Sequence, residues 1–445
     1  MQLAKAAGGR GHESTDKRSR SVRYTDIWWE LMQMQMNTSD LESPNETIYS
    51  RQAIFGAPAG VRPGLALALS GGGFRASLFH LGALRCLNEH GILSRISTIS
   101  SVSGGSILAA HIAEKVDPWP EPGNAYPRWE ESVSRPFREF TGRNIRTWPI
   151  LRRYLPPWNV FRSNIQASAL AAHYAKLNPK NVSQLPAAPR FIFCATDMIF
   201  GVNWVFERER VGDYEAGYGD PGVITIAEAV TASSSFPPVF PPVRIGTRVR
   251  LTKTGRLPRG RQRDHYLKHL SLTDGGVYDN MGLEPVWRNH GVVLVSDGGA
   301  IFRFQLDKSP LRRLVRYSSI LGDQAGRLRR RWLISKFNDG SLHGTFWSIS
   351  SLVSNYDAGA EGYGTEVTKE FIARIRTDLD AFSELEAKIL ENHGFFLADV
   401  AIRTHVPWLA TVTRPLAPPH PELMSDNRAK SALGRSSIRR WIGRF

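Results

Sequence analysis

Two strand–turn–helix units in close succession constrain the fold of this chain more than anything else in it. An apolar run, Leu65 to Leu69, stops at Ser70-Gly71-Gly72-Gly73-Phe74-Arg75, and a helical pattern follows from Arg75 to Glu89. About thirty residues on, Ile99-Ser100-Ser101-Val102 leads into Ser103-Gly104-Gly105-Ser106 and a second helix. A serine between an apolar strand and a Gly-Gly helix start has the form of a nucleophile elbow, a sharp turn that only small neighbours allow. Gly104 and Gly105 supply those neighbours. Three glycines at the head of a helix leave backbone N–H groups bare, and such groups hold an anion or a developing oxyanion. One unit offering a nucleophile and one offering donors imply acyl transfer through a serine. The elbow has one irregularity: two positions before Ser103 stands Ser101, where the usual pattern has glycine.

From Leu65 onward, short apolar strands alternate with helices, as in an α/β sheet covered on both faces. The strands are expected at Leu65–Leu69, Ile96–Ser100, Phe191–Ala195, Leu270–Thr273 and Val292–Ser296. The helix Arg75–Glu89 is apolar nearly all round and ends at Gly91, which suits burial beside the sheet and a glycine C-cap. Residues 117–185 differ in being rich in Pro, Trp and Arg, and are expected to form an inserted helical lid where access to the site is controlled. The chain is long, 445 residues, against the roughly 250–300 that one hydrophobic core supports. The expected partition is a basic N-terminal arm over 1–60, a catalytic domain over 61–415 with the insertion inside it, and a basic tail over 416–445.

Charge and cysteine content bound the partners. The 57 Lys and Arg against 41 Asp and Glu give a net charge of +16, which favours an anionic partner. The excess lies in four runs, Arg10 to Arg23, Lys253 to Arg263, Arg312 to Lys336 and Arg435 to Arg444. One such run alone reads as a solvated surface; four together point to an anionic membrane surface. The runs lack the interleaved aromatics of a nucleic-acid-binding fold, so no nucleic acid is expected. The sequence has no apolar stretch of about 18 residues to span a membrane, and its N-terminus lacks the apolar segment of a secretory signal. Cys86 and Cys194 are the only cysteines, too few for a disulfide framework, and both fit as small buried residues. A cytoplasmic location follows, with attachment at the membrane surface as the further expectation.

A serine nucleophile needs a base, and no histidine after Ser103 sits in a catalytic-looking loop. His393, in Asn392-His393-Gly394, reads as a helix C-terminus, where imidazolium meets the helix dipole. Two acidic turns are better placed. Leu272-Thr273-Asp274-Gly275-Gly276 ends one strand, and Ser296-Asp297-Gly298-Gly299 ends another. In each, two glycines let the chain turn sharply and aim the carboxylate out at a sheet edge. The residues alone do not rank the two.

The ordered set Ser70-Gly71-Gly72-Gly73-Phe74-Arg75, Ser103-Gly104-Gly105 and Asp274-Gly275-Gly276, with Asn280 six residues after the aspartate, resembles the patatin-like phospholipase family. Ala195-Thr196-Asp197 and the segment Ala229 to Pro242 are similar to further parts of that family, and the likeness covers roughly residues 61–410. It implies a three-layer α/β/α sandwich with a mostly parallel central sheet. It also implies a lipid acyl hydrolase, cleaving carboxylic esters of glycerolipids through a Ser103–Asp274 dyad with no histidine. In that reading Gly71, Gly72 and Gly73, aided by the charge of Arg75, hold the oxyanion, and neither metal nor cofactor takes part. His80, at a position where the family often has histidine, is expected to be a packing residue. Two other readings stay open on the sequence: an α/β-hydrolase with a Ser–Asp–His triad, and a catalytically silent lipid-binding scaffold of the same fold.

Overall fold

The computed structural model describes residues 64–154, 158, 164–255, 260–302, 310–357, 359–412 and 414–434. The N-terminal arm and the last basic run therefore lie outside the described residues, as do the arginines at 256 and 259. Among the described residues eleven strands form one sheet: β1 (Leu65–Leu69), β2 (Ile96–Val102), β3 (Arg190–Asp197), β4 (Asn203–Glu207), β5 (Arg210–Asp213), β6 (Gly217–Asp220), β7 (Val243–Arg244), β8 (Arg250–Thr254), β9 (Ser271–Asp274), β10 (Val292–Asp297) and β11 (His343–Ser348). Their order is β11-β10-β1-β2-β3-β4-β5-β6-β8, with β9 joined to β3 and β7 to β9. From β11 to β3 every neighbour is parallel; beyond β3 the sheet continues antiparallel.

The strand β1 shows why the layers form. All five of its residues are buried, as in a strand covered on both faces. Leu65, Leu67 and Leu69 join the main core, whereas Ala66 and Ala68 face a second one, because successive side chains point to opposite sides. The main core is built from the helices α1 (Gly73–Glu89), α2 (Gly104–Lys115), α3 (Ile226–Ser233) and α5 (Glu384–His405). The second lies under Leu333 and Trp332 of a long helix, α4 (Pro310–Asn338). The result is the expected three-layer arrangement.

α1 and α5 approach at glycines on both sides. A Cβ on Gly82 would come within 1.8 Å of the Glu391 carbonyl, and one on Gly394 within 1.9 Å of the Phe79 carbonyl. Gly394 is thus a packing residue inside a 22-residue helix rather than its end. His393 is correspondingly buried mid-helix. Its Nε2 bonds the Ile349 carbonyl at 2.9 Å, and desolvation lowers its pKa to about 4. The sequence reading of a helix C-terminus there is corrected.

The stretch 117–185 is fastened into the main core. Trp129, Val133, Phe137, Phe140, Leu170 and Tyr174 are buried within it, and the Phe140 ring meets Phe74 edge-on at 5.8 Å. Arg138 reaches the buried Glu391 of α5 at 2.6 Å. Among its described residues, Trp148, Leu151 and Trp158 are the large exposed apolar side chains. Cys86 and Cys194 are both buried and free.

Candidate active site

The site forms where β2 stops. β2 runs beside β3 as far as Val102, which pairs with Cys194. At the next position along that edge, Ala195 pairs with Asp274 of β9, which comes in from the opposite direction. Ser103 and Asp274 therefore meet head to head along one edge of β3. The meeting requires β2 to leave the sheet abruptly, and it does: Ser103 sits at φ 49° and ψ −113°, a conformation that costs an ordinary residue about 1–3 kcal/mol. α2 begins immediately after it.

The Gly-Gly after Ser103 is explained by backbone contact. A Cβ on Gly104 would lie 2.2 Å from the Gly73 carbonyl, and one on Gly105 would lie 2.4 Å from the Leu69 carbonyl. The Gly105 amide donates to the Ser70 carbonyl at 3.1 Å, locking the two strand–turn–helix units together. A Cβ on Gly71 would stand 3.0 Å from the Ser103 Cβ and 2.4 Å from Asn280 Oδ1. The glycine loop, the elbow and the segment after Asp274 thus converge on Gly71.

Asp274 is buried, and its amide and carbonyl are held by Ser235 and Thr196. Its Oδ1 accepts the Gly276 amide at 2.7 Å, while Oδ2 is buried and unpartnered apart from the nearby Ser103 hydroxyl. Burial pushes its pKa up to about 7; the Gly276 amide and the Ser103 hydroxyl favour the charged form and limit the rise. A carboxyl group so placed can take and return a proton near neutral pH. Among the described residues no histidine hydrogen-bonds either Ser103 or Asp274. His80, the one on α1, is spent on the Ser296 hydroxyl (2.7 Å) and the Ser70 carbonyl (2.9 Å), and burial lowers its pKa to about 4.

The glycine loop does not offer all its amides. Gly71 N–H donates to the Asn280 carbonyl at 3.0 Å and Phe74 N–H to the Asp378 carbonyl at 3.0 Å. The amides of Gly72 and Gly73 make no such bond among the described residues. Both residues have positive φ, 142° and 59°, as a loop that turns its N–H groups outward requires.

Arg75 departs from the sequence reading. Its guanidinium is buried and donates to the carbonyls of Ile375 (2.9 Å), Gly298 (3.0 Å) and Ala373 (3.2 Å). It ties the start of α1 to two neighbouring loops rather than reaching into the site. Burial explains the difference, because a charge at this depth must be surrounded by acceptors. Sequence reasoning also missed the hydroxyls beneath the elbow. Ser233 Oγ accepts the Ser103 amide at 2.9 Å and meets Ser106 Oγ at 2.8 Å; Ser106 donates to Ser101 Oγ at 3.1 Å. The signal was the Ser233-Ser234-Ser235 run that ends α3, legible as polar but not as turned inward.

A family model described as patatin-like phospholipase matches residues 67–287. Among solved structures, human GIVD cytosolic phospholipase A2 aligns at 10% identity with a TM-score of 0.42, covering 84% of this chain and 63% of that one. VipD from Legionella pneumophila aligns at 13% identity with a TM-score of 0.29, over 78% of this chain and 67% of that one. No curated protein matches the sequence.

Proposed function

The chain carries a patatin-like phospholipase domain, and on that premise we propose that it is a lipid acyl hydrolase working through Ser103 and Asp274. The observation that carries the reading is the head-to-head meeting of these residues on the edge of β3, with the second Asp274 oxygen buried and otherwise unpartnered.

In the proposed reaction the ionised Asp274 accepts the Ser103 proton as Oγ attacks the ester carbonyl carbon. A new C–O bond forms, and the carbonyl oxygen becomes an oxyanion held by the Gly72 and Gly73 amides. The intermediate collapses, the alcohol portion leaves, and Asp274 returns the proton to it. Water then attacks the acyl-enzyme with Asp274 again as base, releasing the fatty acid and Ser103. Burial does two things for Asp274: it raises the basicity of the carboxylate and excludes water that would compete for its lone pairs. An apolar substrate is supported by exposed side chains close in sequence to the site. Phe236 follows the Ser235 that holds Asp274, and Val277 lies three residues beyond it. Trp148 and Leu151 follow Arg146, which pairs with Asp378 beside the glycine loop. These side chains give the 117–185 insertion its proposed part in admitting acyl chains. The basic surface runs support docking on anionic lipid.

The test is covalent labelling with a fluorophosphonate followed by peptide mapping, alongside hydrolysis of a soluble short-chain ester. Labelling at Ser103, with both label and hydrolysis abolished in Ser103→Ala, is the expected result. A label on another residue, or hydrolysis surviving the substitution in a folded protein, overturns the assignment.

A further inference from the structure

The helix α4 is much longer than the crossover it makes. It connects β10 to β11, which are parallel neighbours, so it must run back along the sheet against them. Its contacts with the body are concentrated late in the helix. Arg330 meets Asp297, the last residue of β10, at 2.6 Å, and Arg329 lies 3.8 Å from Asp279. Leu333 is its one fully buried residue among the side chains described. The positions before Arg329 therefore extend past the strand ends on the side where Ser103 and Asp274 sit. At 1.5 Å per residue, the reach from Pro310 to Arg330 is about 30 Å.

This projecting part carries a patterned face of exposed side chains among those described. Tyr317, Leu321 and Leu328 are 58%, 71% and 60% exposed and fall on one side at spacings of four and seven residues. Arg330 and Leu333, which touch the body, fall on the opposite side. Arg313, Arg327 and Arg331 run beside the apolar stripe, Arg327 also meeting Asp323 at 2.6 Å one turn back. Across α4, seven arginines and Lys336 stand against a single acid, Asp323. An apolar stripe flanked by arginines is the pattern that enters the boundary between headgroups and acyl chains. The same arginine excess opposes side-by-side packing of two copies.

The geometry points to the projecting part of α4 as a docking element for an anionic lipid surface, seated on the catalytic side of the sheet. The inference rests on the lipid acyl hydrolase reading and names the element that brings that site to its substrate. The apolar stripe enters the interface, and the flanking arginines select anionic headgroups.

Vesicle co-sedimentation tests it, with Ser103→Ala as the background so that the lipid stays intact. The vesicles are phosphatidylcholine alone, and three parts phosphatidylcholine to one part phosphatidylglycerol. Leu321→Glu/Leu328→Glu should weaken binding to the anionic vesicles by about tenfold or more. Arg313→Gln/Arg331→Gln should weaken it by several-fold, with no change on the neutral vesicles. Both pairs, made in the wild-type background, should leave hydrolysis of the soluble ester unchanged. Anionic-vesicle binding that survives both pairs overturns the inference, as does a dimer in light scattering that the leucine pair abolishes, which would make the stripe a contact between copies. A protein inactive on the soluble ester whose vesicle binding still responds to both pairs would instead sink the hydrolase reading and leave the docking element standing.

Discussion

Asp274-Gly275-Gly276 and Asp297-Gly298-Gly299 share a tripeptide and the turn it makes, and differ in what meets the second carboxylate oxygen. In both, Oδ1 accepts the amide two residues on, at 2.7 Å in the first and 2.9 Å in the second. Asp297 Oδ2 then receives Arg330 at 2.6 Å, whereas Asp274 Oδ2 is buried with no cation on it, only the Ser103 hydroxyl nearby. The tripeptide therefore encodes the turn, and a tertiary neighbour decides whether the second carboxylate oxygen is tied to a cation or left without one. The second turn also has a part in shaping the site. Gly298 takes Arg75 on its carbonyl and gives its amide to Ser70 Oγ, and a Cβ on Gly72 would lie 2.8 Å from that carbonyl. The turn at Asp297 backs the glycine loop; the turn at Asp274 faces Ser103.

The largest expected effect separates the two aspartates. Asp274→Asn should lower kcat for ester hydrolysis by about 10³–10⁴, because the hydroxyl loses its proton acceptor. Activity in the wild type should fall as pH drops below about 7, where Asp274 becomes protonated. The stability effect has the opposite sense to that of a salt-bridged acid. With its folded pKa raised, the native state holds the Asp274 proton across the window from about 4 to about 7, where the unfolded chain has released it. Stability is thus lost as pH rises through that window, on the order of 4 kcal/mol. Asp274→Asn should therefore be more stable than wild type at pH 8 and similar at pH 4 in urea unfolding. An inactive variant with no gain at pH 8 would mean that the carboxylate is not held in a desolvated site.

Next in size is the loop between the two turns. Gly73→Ala must keep φ near 59° and place a methyl within 2.5 Å of the Asp378 carbonyl, so the loop must shift. Displacing one oxyanion donor costs about 10²–10³ in rate. Steady-state kinetics should show that loss in kcat, with KM little changed. A loss confined to KM would move the loop from stabilising charge to binding substrate.

Asp297→Asn should be milder. Asn keeps an acceptor for the Gly299 amide and loses the charge facing Arg330, whose side chain is 44% exposed. The stability loss should be about 1 kcal/mol after solvent screening, with kcat within a few-fold of wild type. If kcat instead falls as far as in Asp274→Asn, the two turns do not divide the work as their neighbours suggest.

Much of this comparison was legible in the sequence because it is local. The apolar runs placed β1, β2, β3, β9 and β10 to within a few residues, and Gly91, at φ 64°, closes α1 as its position suggested. Small residues around Ser103 and the glycine loop reflect backbone approach, which leaves a mark in composition. What was not legible depends on partners distant in the chain. Arg75 looked catalytic because it adjoins the loop, yet its acceptors lie some 220 to 300 residues away. The Pro- and Trp-rich stretch 117–185 read as an inserted lid, and its anchoring in the main core was not legible, because its apolar residues are spaced irregularly and the core they enter is made elsewhere. The antiparallel strands β4 to β8 are mostly four or five residues long, too short for alternation to stand out. α4 registered only as a basic run, since its arginines masked the helical period of its leucines.

The smallest expected effect on turnover concerns the hydroxyls beneath the elbow, where Ser101 replaces the usual glycine. Its Oγ donates to the Ile192 carbonyl at 3.0 Å and accepts Ser106, all within a fully buried environment. Ser101→Gly removes both bonds and adds freedom to the unfolded chain, for a loss of about 1–2 kcal/mol. Ser106 keeps its contact with Ser233, and Ser233 keeps the Ser103 amide, so the nucleophile should stay in place. Turnover should therefore remain within about threefold of wild type while the urea midpoint falls, as expected of one weakened link among several. A tenfold change in kcat with unchanged stability would give Ser101 a different meaning: the hydroxyl chain would be setting the angle of the elbow rather than holding it. The contrast between the two turns would then extend below the sheet edge, with the Asp274 side tuned from beneath as well as faced by the nucleophile.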